Sequence, residues 1–293
     1  MICLKHNGAE MHIDELGAEM RSFTTADGRD WIWRGSTDSW KSSAPVLFPA
    51  IGALKNGGAT IGGTFYAVPR HGFAKFQPFE VLERGEDFIT MILKPNEETQ
   101  KVYPFEFTLK VTHHFLDNGF ETRYTVKNHS DREMPFTIGG HPGFNCPMKE
   151  GEQFEDYLLH FEKEETVGST LCNGAGHTLT GIQPIDFGED RRTLPLRYSW
   201  FDAMDTYVLA GLNSRSVDLI HKDTRKGIRF SFEMDVLAVW SMPFKKAPYV
   251  CIEPWQGCPA YENETGRFED KPYCVKLGAG ESYTCGYRME IMD

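Results

Sequence analysis

The sequence predicts an antiparallel all-β fold, and three observations carry that expectation. Apolar and polar residues alternate at period two over several runs, turn-forming residues (28 Gly and 16 Pro) are spread evenly between those runs, and runs with helical period are scarce. In chain order, the first such run is Asp87 to Lys94. The clearest is Phe105 to Phe115, which puts Phe105, Phe107, Leu109, Val111 and Phe115 on one face and Glu106, Thr108, Lys110 and Thr112 on the other. Asp117-Asn118-Gly119 then supplies the Asn-Gly signal of a tight hairpin. The return strand sets Phe120, Thr122, Tyr124 and Val126 against Glu121, Arg123, Thr125 and Lys127. The stretch Gly139 to Gly188 reads as loop-rich, with room for a short helix or a small subsheet. Alternation resumes at Tyr207 to Leu212, Ser216 to His221, Gly227 to Met234 and Ser282 to Ile291, each bounded by Gly, Asp, Asn or Pro. No repeat, low-complexity tract or linker divides the chain. Residues 1–293 are therefore expected to form one domain, a large β-sandwich or a barrel.

Composition narrows the function classes. With 31 Lys+Arg against 42 Asp+Glu the net charge is −11, which repels a phosphate backbone and makes nucleic acid an unexpected partner. No window holds the ~20 successive apolar residues that span a bilayer. The N-terminus lacks the basic start and apolar run of a secretory signal, so no membrane association and a cytoplasmic location are expected. Seven Cys, an odd number without a C-x-x-C pair, suggest neither a disulfide framework nor a zinc knuckle. They read as reduced, mostly packing residues.

Three segments break the strand pattern with dense Gly, Pro, His and aromatic content: Val68 to Ala74, Ile138 to Asn145 and Cys251 to Cys258. Each sets one ionisable side chain, His71, His141 or Glu253, among residues that hold the backbone sharply, as a rigid scaffold does for a polar group at a strand end. Two His and one Glu can serve general acid–base chemistry, or each can be a turn residue satisfying local hydrogen bonds. Two His and a carboxylate can also form a facial metal set. No H-x-H, H-x-x-x-H or H-E-x-x-H spacing accompanies them, however. The adjacent His113 and His114 point to opposite strand faces, and no G-x-S-x-G marks a serine nucleophile.

Leu47 to Gly52, Pro69 to Ala74, Met134-Pro-Phe, Gly140 to Phe144 and Cys251 to Gly257, in that order, resemble the aldose 1-epimerase (mutarotase) family, in particular its bacterial LacX-like branch. The likeness runs from Gly17-Ala-Glu-Met-Arg-Ser-Phe23 to the glycines near Gly278 and Gly280. It implies a galactose-mutarotase-like β-supersandwich and cofactor-independent interconversion of the anomers of a small sugar. Carried over residue by residue, it implies Glu253 as the base on the anomeric hydroxyl, His141 as the acid on the ring oxygen, and Arg70 and His71 as holders of sugar hydroxyls. A family Asp falls on Trp200 to Val208, where Asp205, nearest the next strand, is favoured and Asp202 is the alternative. Trp255 can stack on a sugar face or pack; Trp31, Trp33, Trp40, Trp200 and Trp240 are expected to pack. A sugar-binding or sensing protein with weak or no turnover is the alternative on the same fold. A hexose-phosphate epimerase is a third reading; it needs extra basic residues, for which Arg70, Lys75 and Arg34 are candidates. Monomer and homodimer are both open.

Overall fold

A computed structural model of the protein describes residues 1–173 and 178–292. The predicted hairpin is its spine. Phe107–Leu116 and Gly119–Asn128 pair antiparallel with Leu116 opposite Gly119, and the first of them alternates buried and half-buried residues along its whole length. Ser282–Met292 pairs with the return strand, and Gly227–Phe232 with Ser282–Met292. Nine strands make this sheet, in the order Thr193–Pro195, Tyr157–Phe161, Ser216–His221, Gly227–Phe232, Ser282–Met292, Gly119–Asn128, Phe107–Leu116, Phe88–Leu93 and Glu80–Arg84.

A second sheet of eight strands runs Thr178–Gln183, Ser169–Asn173, Thr206–Ala210, Val236–Trp240, Tyr249–Gln256, Ile138–Gly140 and Val46–Leu47. Its eighth strand, Gly143–Asn145, also pairs with Tyr249–Gln256. One apolar core joins the two sheets. Leu109, Val111, Phe230 and Tyr287 from the first meet Leu209, Leu237, Val239, Val250 and Ile252 from the second, and Phe144 reaches Phe230 edge-on at 5.6 Å between ring centroids. Leu4, Met11, Ile13 and Met20 of the N-terminal meander Ile2–His6, Ala9–Asp14 and Glu19–Thr24 join that core. The fold is mostly antiparallel β, as the alternation predicts, and no helix among the described residues is long and apolar enough to cross a membrane.

Two expectations are corrected. The described residues of 139–188 hold the expected short helix, the single turn Phe154–Asp156, but no subsheet of their own: Tyr157–Phe161 joins the nine-stranded sheet, while Ser169–Asn173 and Thr178–Gln183 close one edge of the eight-stranded one. The edge strand Thr178–Gln183 buries only Leu179. Cys251 to Cys258 is not a loop either. Tyr249–Gln256 is a central strand, although it contains Pro254, a residue disfavoured in sheet interiors because it cannot donate to the ladder. The reason lies on one flank, where Gly143–Asn145 pairs with residues 249–251 and Ile138–Gly140 with 255–256, leaving residues 252–254 without a ladder partner. Ile252 N–H finds the Pro142 carbonyl at 3.2 Å instead, and Pro254 has no N–H to satisfy.

The two adjacent histidines do face opposite ways. His114 meets Asp87 near the surface at 3.0 Å. His113 is buried, donating from Nε2 to the Ala18 carbonyl (2.9 Å) and accepting at Nδ1 from the Thr122 hydroxyl (3.0 Å). Burial pushes His113 down to about 4, so the native state holds it neutral while the unfolded chain titrates near 6.5. Its contribution to stability is therefore complete above pH 6.5 and lost as pH falls toward 4. Urea unfolding of the protein and of His113→Gln at pH 7 and pH 5 checks this: the gap between them should shrink by ~2 kcal/mol at the lower pH.

Candidate active site

The alternation of Tyr249–Gln256 turns Val250 and Ile252 into the core and sets Cys251, Glu253 and Trp255 on the opposite face. Glu253, 1% exposed, sits beside Ala238 of the neighbouring strand and opposite the break in the other flank. His141 occupies that break. Its backbone N–H is held by the Pro45 carbonyl at 3.1 Å, and its Nε2 lies 3.2 Å from a Glu253 carboxylate oxygen. Trp40 stacks on the imidazole at 4.7 Å and Trp240 meets it edge-on at 5.6 Å. Gly139 is required here because a Cβ would come within 2.7 Å of both the Pro254 carbonyl and the Trp255 ring.

His71 arrives on a turn with two successive left-handed residues, His71 at φ 63° and Gly72 at φ 70°. The second must be glycine, since a Cβ there would lie 2.1 Å from the Phe48 carbonyl oxygen. His71 N–H donates to the Gly52 carbonyl (2.9 Å) while Gly52 N–H donates back to His71 Nδ1 (3.1 Å), which places the proton of the neutral ring on Nε2. The ring centroid is 5.7 Å from that of His141 and 6.5 Å from that of Trp255. Asp205 ends the helix Tyr198–Met204 in a left-handed conformation (φ 61°) and accepts from the Thr206 hydroxyl at 2.9 Å and the Trp240 indole at 3.4 Å.

Arg70, His71, His141, Asp205, Glu253 and Trp255 all line one cavity of about 400 Å³, of a size for a small ligand. Asp202 does not. It is exposed and accepts from the Phe244 backbone N–H at 2.6 Å, so of the two aspartates only Asp205 reaches the cavity. Arg34 is also elsewhere, paired with Asp30 at 2.7 Å. Trp40 and Trp240, expected to pack only, line the cavity, as do Lys75 and Cys172. Lys75 was legible as a possible basic residue four positions after His71; for the two tryptophans no local motif exists, because strand pairing alone brings them there.

Burial dominates the electrostatics. It raises Glu253 well above the carboxylate range, with Asp205 adding and Arg70 opposing, and it pushes His141 down to about 3, with Lys75 and Arg70 adding. Lys75 falls to about 8 through burial and the neighbouring Arg70. Burial thus disfavours the charged form of both members of the pair. Among the described residues, ligand atoms of His141, Cys251 and Glu253 gather within 4.8 Å of one another, as do those of Cys3, Glu10 and His12 at the surface; His71 belongs to neither group.

Residues 1–290 match the family model for aldose 1-epimerase. The chain belongs to the aldose 1-epimerase family. It is 33% identical to the chromosomal protein LacX of Lactococcus lactis subsp. lactis over 297 aligned positions, covering 99% of each chain. Among solved structures, it is similar to a galactose mutarotase related enzyme from Lactobacillus acidophilus, with a TM-score of 0.92 at 30% identity over 100% of this chain and 97% of that one. A galactose mutarotase-like protein from Lactobacillus casei is close to it as well, with a TM-score of 0.91, 30% identity and 99% of each chain covered. The galactose-mutarotase-like fold is thereby established for this aldose 1-epimerase family member. A sugar entering the cavity should change the emission of Trp40, Trp240 and Trp255. In fluorescence titrations Asp202→Ala should keep the wild-type midpoint, while Asp205→Ala should weaken binding by roughly tenfold, the loss of one or two hydrogen bonds.

Proposed function

We propose that the protein interconverts the α and β anomers of an aldose, with Glu253 as base and His141 as acid. The observation that carries this reading is the 3.2 Å contact between a half-buried imidazole and a buried carboxylate in a sugar-sized cavity. The anomeric hydroxyl and the ring oxygen share one carbon, so an acid and a base that serve both must lie side by side. Arg70, His71 and Asp205 supply donors and an acceptor for the remaining hydroxyls, and Trp255 offers an aromatic wall.

The reaction balances within the pair. Moving the stored proton from Glu253 to His141 creates carboxylate and imidazolium; the carboxylate then takes the anomeric hydroxyl proton while the imidazolium protonates the ring oxygen as its bond to the anomeric carbon breaks. Ring opening leaves an aldehyde, a protonated Glu253 and a neutral His141. Burial favours that same neutral distribution, which lowers the energy of the open-chain state relative to the charged pair that precedes ring opening. Rotation about the first carbon–carbon bond and the reverse proton transfers close the other anomer.

A phosphorylated aldose is the second reading, favoured by one observation. Arg70 and Lys75 put two positive charges in the cavity wall, and among the described residues neither forms an ion pair.

Magnetisation-transfer NMR on a panel of free and phosphorylated aldoses tests both. Glu253→Gln should lower turnover by ~10²–10⁴ with little change in affinity; binding without turnover in the unmutated protein would select the sugar-binding alternative. Because the pair must hold one proton, kcat should fall as pH rises through the elevated Glu253 value, and Asp205→Asn, by removing a neighbouring negative charge, should move that limb to lower pH. Lys75→Met should weaken binding of a hexose phosphate by ~10–100-fold, the worth of a charged hydrogen bond, and leave the parent hexose unaffected. On this reading hexose-phosphate affinity in the unmutated protein also declines as pH rises through about 8, where Lys75 loses its charge.

A further inference from the structure

Next to the cavity lies a donor set that the acid–base chemistry leaves partly unused. Cys251 and Glu253 stand two residues apart on the same face of one strand, both essentially without solvent contact. His141 faces them across the break in the ladder, and one ligand atom from each of the three lies within 4.8 Å of the others. Nδ1 of His141 is buried without a hydrogen-bond partner, and Glu253 Oε2 makes no hydrogen bond beyond its 3.2 Å contact with His141 Nε2, a costly state for polar atoms in a protein interior. Cys251 carries an unpaired thiol.

We propose that Cys251, His141 and Glu253 form a site for a thiophilic divalent cation of the Zn²⁺ type, and that the bound ion switches the sugar chemistry off. Thiolate, imidazole and carboxylate are the zinc donors, and ligand atoms around tetrahedral zinc lie roughly 3.3–3.8 Å apart, a separation these side chains reach by small rotations. Three protein ligands leave the fourth position to the cavity, where water or a sugar hydroxyl can enter. Binding releases the thiol proton and the proton shared by Glu253 and His141. No redox step is involved. The ion then occupies the carboxylate and the ring nitrogen that would otherwise move protons, so its inhibitory effect rests on the acid–base reading above, whereas its binding does not.

The surface group Cys3, Glu10 and His12 offers the same donor types, but Glu10 is already paired with Lys5 at 2.5 Å. It serves as the control. The full-length protein is titrated with Co²⁺, and the near-ultraviolet thiolate-to-cobalt band is followed in the unmutated chain, Cys251→Ser, Cys251→Ala and Cys3→Ser. Anomer exchange is then measured with Zn²⁺ and after added chelator. The band should saturate at a single equivalent, vanish in both Cys251 variants and persist in Cys3→Ser. Saturating Zn²⁺ should lower turnover by the ~10²–10⁴ lost with an acid–base pair, reversibly, and should spare the Cys251 variants. A band that vanishes in Cys3→Ser instead, or no band at all, overturns the site. Full or increased activity with the site loaded overturns the switch. If no aldose is turned over, the acid–base reading fails while the cobalt band still decides the metal site.

Discussion

Everything in this molecule hangs on one strand that must satisfy two environments at once. Tyr249–Gln256 gives Val250 and Ile252 to the core between the sheets, Glu253 and Trp255 to the cavity, and Cys251 to a small apolar cluster beside it. Period-two geometry allows this only while the register holds, because a slip of one residue would exchange the two sets. The strand is held by a continuous ladder to Val236–Trp240 on one side and by two short strands on the other. The same hydrogen bonds that anchor the core therefore set the height and direction of the Glu253 carboxylate.

The break between those short strands does the rest. An unbroken flank would have put a paired backbone beside Glu253 and left no place for a side chain from that direction. Interrupted at Gly140 to Pro142, it admits His141, whose ring is then clamped by Trp40 and Trp240. The break costs little because Pro254 has no N–H to lose and Pro142 accepts from Ile252. A carboxylate and an imidazole buried together would be expensive as separate ions. As a neutral pair they are tolerated, and on the proposed reading that tolerance makes them a reservoir for proton transfer. Arg70 and Lys75 line the same cavity, where both charges bias His141 and Arg70 also acts on Glu253.

Much of the β architecture was legible from alternation. Ser216–His221 has the bounds read from its residues, and Asn118-Gly119 marks the turn that the hairpin uses. Thr206–Ala210 stops short of Leu212 because Gly211 turns the chain at φ 76°, a small difference of the kind expected at strand ends. The larger misses share a cause. Tyr249–Gln256 looks like a loop because its proline and buried carboxylate contradict the composition of a strand, and both anomalies are permitted only by the gap in its partner. Trp40 and Trp240 look like core residues because their cavity position depends on strands distant in sequence.

The sequence by itself determined which residues alternate, where the chain must turn, and that His71, His141 and Glu253 stand in rigid settings, since these follow from side-chain chemistry and local backbone restriction. Tertiary structure alone decided that Glu253 is buried beside His141, that Asp205 and not Asp202 reaches the cavity, and that Lys75 joins the wall. Asp202 and Asp205 differ by less than one helical turn. Which of them faces the cavity is set by how the helix Tyr198–Met204 ends, with Asp205 in the left-handed region and bonded to the Trp240 indole. Such contacts join residues far apart in the chain, and no local pattern encodes them.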